Sequence, residues 1–149
     1  MEKMKDKSQV FIDTNILVFA NVKTSVFHEK AKFKLIELVE AGAELFISNQ
    51  TIREYLAVLS RPDFKGYKIP NDKLIIDFHR LREEYIVLFE NNQTLDMLQM
   101  LYSNCLVGGK QIHDANIVAT MLNFNINLLL THNVDDFSRY SDYISIMTI

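Results

Sequence analysis

The 149 residues, 48% hydrophobic and 23% charged, suit a single globular domain with enough apolar material for a core. No apolar run approaches the roughly 18 to 20 residues of a membrane span, and residues 1–7 alternate charges instead of forming a secretory signal. One cysteine excludes an internal disulfide or a multi-cysteine zinc site, so the cytoplasm is the default compartment, and a net charge of −3 does not advertise nucleic-acid binding.

In chain order, residues 1–8 read as a frayed tail. Residues 10–12 form a short apolar run that ends at Asp13, and a helix is expected from about Ile16. Residues 28–41 are amphipathic, with Ala31, Leu35, Leu38 and Val39 at helical spacing and Gly42 as the stop. Residues 44–48 read as a strand, and residues 50–60 as a helix ended by Arg61-Pro62. A loop with Gly66 and Pro70 leads to a helix over 72–84, whose stripe is Leu74, Ile75, Phe78 and Leu81. Residues 85–89 alternate weakly and read as a strand. Residues 94–106 read as a helix, with Cys105 expected in the core among Leu98, Leu101, Tyr102 and Leu106. Gly108-Gly109 breaks the chain before a helix over 113–123. Residues 126–130, apolar apart from Asn127, read as a strand, a helical turn follows near Asp135, and 143–147 close the chain as a strand. Strands alternating with helices predict an α/β fold: a mainly parallel sheet of four to five strands covered on both faces.

Charge is unevenly spread. From Arg61 to Arg82 six basic residues oppose three acids, whereas from Glu83 onward two basic residues oppose eight acids. That split suits a protein that grips phosphate in one place and metal in another, and equally a pair of solvated helices.

In a parallel sheet, ligands bind outside the carboxyl ends of the strands. Asp13 follows the first strand, Asp114 opens a helix, and Asp135 and Asp136 follow the strand over 126–130. Acids gathered on that edge would raise one another's pKa, and a hard divalent cation would compensate them. Each also has a plainer explanation. Asp13 could begin a turn, while Asp114, Asp135 and Asp136 could be first-turn acids favoured by the helix dipole. Glu54 falls on the far side of the wheel from Ile52, Leu56 and Leu59, as a surface residue would. His28, His79, His113 and His132 make no metal set. Phosphate-binding glycine loops and a G-x-S-x-G elbow are absent.

Phe11-Ile12-Asp13-Thr14-Asn15 resembles the opening motif of the PIN-domain nucleases, particularly the VapC-type toxins of toxin–antitoxin pairs. His28-Glu29-Lys30-Ala31 is similar to their early helix. Residues 47–50 and 58–62 resemble the second strand and helix, where Glu54 matches the second acid. His113-Asp114-Ala115 with residues 117–120 resembles the third motif. Residues 130–137 resemble the last, T-x-N-x-x-D-F, in which Asp136 is the acid and Asp135 a neighbour. All four stand in order from about Val10 onward, and the ordered set overrides the wheel argument against Glu54. The resemblance implies a three-layer PIN-like fold and one or two Mg²⁺ or Mn²⁺ ions on Asp13, Glu54, Asp114 and Asp136. Thr131 and Asn133 would orient these acids, with Asn15 helping from the first loop. It further implies in-line attack by metal-activated water on single-stranded or loop RNA, with no need of a 2′-hydroxyl nucleophile.

A homodimer and a small antitoxin are also implied. Tyr55, Leu59, Phe64, Tyr67 and Ile69 would supply apolar surface for the dimer. The antitoxin would lie beside the helix over 50–61 and place an arginine at the acids. Departures from the family are modest: Asn49 stands where a proline is frequent, and the loop over 61–70 is variable territory.

Other classes fit less well. An aspartyl-nucleophile phosphatase needs an acid two residues after the first, where Asn15 stands. A receiver domain needs a lysine after a late strand, and Thr131-His132-Asn133 has none. A non-catalytic binding module would be expected to lack one of the acids. A housekeeping RNA-processing nuclease stays open.

Overall fold

The computed structural model describes residues 7–63 and 65–149. The first half contains β1 (Gln9–Ile12), α1 (Thr14–Asn21), α2 (His28–Glu40), β2 (Glu44–Ser48), α3 (Asn49–Leu59) and α4 (Asn71–Glu84). The second contains β3 (Ile86–Leu88), α5 (Asn92–Asn104), α6 (Gln111–Asn123), β4 (Leu128–Leu130), α7 (Val134–Phe137), a 3-10 turn (Ser138–Tyr140) and β5 (Ser145–Met147). The five strands pair in parallel in the order β3-β2-β1-β4-β5. The mainly parallel three-layer α/β fold expected from the sequence is therefore the one observed.

Strand periodicity divides the apolar residues between two cores. Val10, Ile12, Leu45 and Ile47 pack with Ile16, Leu17, Tyr55 and Leu81 of the α1–α4 layer. Phe11, Phe46 and Leu129 pack on the opposite face with Leu101, Ile117, Val118 and Phe137. The inner strands β1, β2 and β4 are thus buried on both sides, which is why they carry apolar runs, while the edge strands β3 and β5 are partly exposed. Gly42 ends α2 with φ +83°, a left-handed conformation that suits glycine at that position.

Several local expectations need correction. The α5 helix starts at Asn92, because Asn91 and Thr94 form a capping box that places Thr94 in the first turn. Similarly, α6 starts at Gln111, so Asp114 lies within its first turn instead of opening it. Ile75 and Val39 are exposed, and the buried face of α4 carries Leu74, Asp77 and Leu81. Cys105 is only half-buried, at the end of α5 beside the fully exposed side of Leu106. Tyr55 and Leu59 are buried in the α1–α4 core and offer nothing to a dimer, while Tyr67 is exposed; Phe64 and the residue 1–6 part of the tail lie outside the described residues.

The burial of Asp77 has a specific compensation. Tyr55 Oη donates to Asp77 Oδ2 at 2.8 Å, and Arg80 Nη2 donates to Oδ1 at 3.3 Å while also bonding Asn21. Tyr140, also fully buried, has a hydroxyl with no partner among the described residues. The same chemical change should therefore have different effects at the two sites. Tyr55→Phe strips a hydrogen bond from a buried carboxylate and should cost about 1.5–3 kcal/mol. Tyr140→Phe removes an unsatisfied hydroxyl and should be neutral or stabilising. Urea unfolding of both variants checks this; equal losses would show that the Tyr55–Asp77 bond is not the determinant.

Candidate active site

The sheet order reverses between β1 and β4, and the crevice at such a reversal is where ligands bind in open parallel sheets. Asp13 follows β1 directly and Thr131 follows β4, so the reversal brings them together. Thr131 Oγ1 donates to Asp13 Oδ2 at 2.7 Å, and the Asp13 N–H donates to the Leu130 carbonyl at 2.9 Å. Asp13 is also the N-cap of α1, accepting from the Thr14 N–H at 2.8 Å, and Asn15 Nδ2 donates to Oδ2 at 3.3 Å. The capping and site interpretations of Asp13 are compatible.

Burial, above all, raises the Asp13 pKa to about 6; the hydrogen bonds from Thr131 and Thr14 oppose this, and the charges of Glu54 and Asp136 add to it. Asp114, half-buried in the first turn of α6, is raised to about 6 as well. Burial again dominates, followed by the charges of Asp13, Asp136 and Glu54. Glu54 accepts from Thr14 Oγ1 at 3.0 Å through Oε2 and from Gln50 Nε2 at 2.8 Å through Oε1. The wheel placed it away from the core, and it does lie outside the buried stripe of Ile52, Tyr55 and Leu59. It faces instead the cleft between α1 and α3, which is a neighbour of the core and not part of it.

Asp13, Glu54, Asp114, Asn15 and Asn133 line one cleft of about 390 Å³, with Phe19 on one wall and Arg61 on another. Asp136 is exposed on α7 and lines an adjoining depression with His132 and Asp135. Its charge nevertheless acts on both Asp13 and Asp114, whereas Asp135 is not among the charges that raise either pKa. Of the supporting residues, Thr131 and Asn15 bond Asp13 directly. Asn133 lines the cleft, and its N–H donates to Thr131 Oγ1 at 3.0 Å.

Three polar residues of this neighbourhood went unnoticed in the sequence. Gln50 is buried; besides Glu54 its Nε2 donates to the His113 carbonyl at 2.9 Å, and its Oε1 accepts from Asn116 Nδ2 at 2.7 Å. Asn116 Nδ2 also bonds Glu90, which accepts from Asn49 Nδ2 at 2.9 Å. This chain ties α3 to the start of α6, the two helices that carry Glu54 and Asp114. The Gln50–Glu54 spacing of one helical turn was its only visible trace.

Among the described residues, none of the four acids forms an ion pair with a basic side chain. Nor do three His, Cys, Asp or Glu side chains already converge as a metal cage among those residues. An oxygen-only donor set that is open and electrically uncompensated fits Mg²⁺ or Mn²⁺ retaining several waters better than a closed all-protein site. An ionised carboxylate has about four acceptor positions. Three bonds already reach Asp13, which leaves room there for one further ligand.

Comparison with known proteins bears on the family and the fold. The family model described as PIN domain matches residues 10–143. Among solved structures, VapBC2 from Rickettsia felis, bound to a DNA fragment from their promoter, is similar at TM-score 0.67 and 17% identity, covering 95% of this chain and 98% of that one. VapBC-1 from nontypeable Haemophilus influenzae is similar at TM-score 0.64 and 22% identity, over 94% and 97%. Mycobacterium tuberculosis VapC20, a sarcin-ricin loop cleaving toxin, is similar at TM-score 0.60 and 16% identity, over 80% and 86%. No curated protein matches the sequence.

The raised Asp13 pKa sets a pH dependence. The folded carboxyl binds its proton more tightly than the unfolded one, so without metal the native state is penalised as pH rises. The penalty grows from the ordinary value of 3.8 to about 6 and is complete above that. It amounts to roughly 3 kcal/mol for Asp13. In chelator, the stability of Asp13→Asn relative to wild type should therefore improve between about pH 4 and pH 7. A pH-independent difference by urea unfolding would show that Asp13 ionises freely.

Proposed function

The chain belongs to the PIN domain family, and from that premise we propose that it is a divalent-metal-dependent ribonuclease, the toxin of a type II toxin–antitoxin pair. The observation that carries this reading is that Asp13, Glu54 and Asp114 line one cleft, with Asp136 acting on it from the rim and, among the described residues, no basic side chain ion-paired to any of them. The 149 residues serve as one nuclease domain.

Asp13 and Asp114 would hold Mg²⁺ or Mn²⁺, with Glu54 and Asp136 completing the charge around it. When bound, such an ion supplies activation of water and neutralisation of charge on a phosphodiester. The rest falls to the chain. Thr131, Asn15 and the Thr14 N–H fix the orientation of Asp13, and Thr14 and Gln50 fix that of Glu54. The two carboxylates are therefore held before any ligand arrives, and reorganisation during reaction is small. Arg61 stands where a flanking phosphate of the strand would pass. Such a shallow cleft suits single-stranded or looped RNA, whose backbone can bend into it.

Partner binding belongs to the same proposal. A small antitoxin would relieve the uncompensated acids with an arginine, whose guanidinium can bind carboxylates bidentately. The cleft continues along α3 past Ala57 and Val58, which supports an approach beside that helix. A second, larger groove of about 580 Å³ runs between α2 and α4, lined by Leu35, Ile36, Val39 and Leu81 with Lys32 and Arg80. It has the mixed apolar and charged lining that an amphipathic segment of the antitoxin would need. The homodimer draws on the family resemblance; exposed Phe89, Leu95 and Tyr102, on and before α5, supply apolar surface for it in place of the buried Tyr55 and Leu59.

Cleavage of RNA with Mg²⁺ or Mn²⁺ should vanish in chelator and fall at least about 100-fold in Asp13→Asn, Glu54→Gln and Asp114→Asn, with unchanged circular dichroism. Asp136→Asn should lose far more activity than Asp135→Asn. Full cleavage in chelator would sink the metal mechanism, and RNA binding without cleavage would leave a binding module. Products of the neighbouring genes should be titrated into the same assay; if neither inhibits, the housekeeping nuclease replaces the toxin.

A further inference from the structure

We propose that Phe19, Phe27 and His132 form a stacking shelf for one nucleobase of the RNA strand at the mouth of the acid cleft; this rests on the ribonuclease reading and adds a base subsite to it.

The three rings touch pairwise. Phe27 and His132 have centroids 4.3 Å apart, Phe19 and Phe27 are 4.9 Å apart, and His132 meets Phe19 edge-on at 5.3 Å. All three are partly buried and keep some surface open to solvent, and the neighbouring Val26 is almost fully exposed. Packing into the two apolar cores accounts for only part of the arrangement. Phe19 packs in part against the α1–α4 core, but Phe27 belongs to neither apolar core among the described residues. Its ring contacts are with Phe19 and His132.

The cluster is also built into the site. Phe19 lines the same cleft as Asp13 and Asp114. His132 follows Thr131, the residue that bonds Asp13, and its N–H donates to Asn15 Oδ1 at 3.3 Å. The segment carrying Phe27 is tied back to α1, with His28 Nδ1 hydrogen-bonded to the Phe19 carbonyl at 2.9 Å and the Phe27 N–H donating to Ser25 Oγ at 3.2 Å. Aromatic faces held beside a phosphodiester-binding cleft are the chemistry that captures unstacked bases, and every base presents a π-face to them. Phosphate at the acids, a base on the rings and a neighbouring phosphate near Arg61 describe one continuous strand.

The test reads binding separately from cleavage. Asp13→Asn serves as the common background, because asparagine also caps helices well and should keep α1 in place. A short single-stranded oligoribonucleotide, with 2-aminopurine moved along it position by position, is titrated in Mg²⁺. At one position, or two adjacent ones, fluorescence should be quenched on binding. Adding Phe27→Leu should abolish that quench and weaken binding roughly 5- to 100-fold, whereas Phe27→Tyr should preserve both. A strand made abasic at the quenched position should bind the two backgrounds, with and without Phe27→Leu, equally. Absence of a position-specific quench would overturn the shelf, as would an equal loss for intact and abasic strands, which would mark the rings as a structural staple. Cleavage by wild type without the quench would remove the shelf and leave the ribonuclease; a quench without cleavage would do the reverse.

Discussion

A single hydrogen bond across the sheet reversal, Thr131 Oγ1 to Asp13 Oδ2 at 2.7 Å, organises everything around it. It joins the ends of β1 and β4, the two central strands from which the chain departs in different directions. By occupying one acceptor position of Asp13 it lets a carboxylate sit almost completely buried while also capping α1. The same Thr131 oxygen accepts from the Asn133 N–H, so the loop carrying Asp136 is set by the same atom. Remove this contact and the crevice between the strands has no polar floor.

Much of the architecture was legible because parallel strands buried on both faces carry unbroken apolar runs, as residues 10–12, 45–47 and 128–130 do. Position beyond strands and at helix starts drew notice to Asp13, Asp114 and the Asp135-Asp136 pair, while the choice of Asp136 over Asp135, and of Glu54, came from the ordered resemblance. What stayed hidden depends on distance in sequence. Asn116 meets Gln50 across 66 positions and Glu90 across 26, and no local spacing announces either. Asp77 was hidden differently. Charged residues in a helix read as solvent-facing, and its burial is made tolerable by Tyr55, 22 positions earlier, together with Arg80. The wheel misjudged Glu54 because it has two categories, core and solvent, whereas a cleft wall belongs to neither.

The two ends of the cleft are built on opposite principles. Its acid floor opposes folding when no cation is present, since burial and mutual repulsion both disfavour the charged carboxylates. The surrounding hydrogen bonds from Thr14, Asn15, Gln50 and Thr131 cost little conformational freedom, because each comes from a strand end or a helix's first turns. Rigidity is therefore supplied by neutral donors and charge is left to be met from outside. That division makes the site receptive to a cation, whether a metal ion or a partner's guanidinium, without requiring the fold to move.

An all-parallel sheet has a temporal side as well. Every pairing in it closes a loop, and the pairing of β1 with β4 closes the longest, with Asp13 and Thr131 118 positions apart. While the polypeptide is being made, from its amino terminus, Asp13 leaves the ribosome early and then waits without its central partner. Only after Thr131 and the strand before it have cleared the exit tunnel can the floor of the crevice assemble. Until then Asp13 lacks the hydroxyl that orients it, so the pocket floor is among the last parts of this sheet that a growing chain can complete.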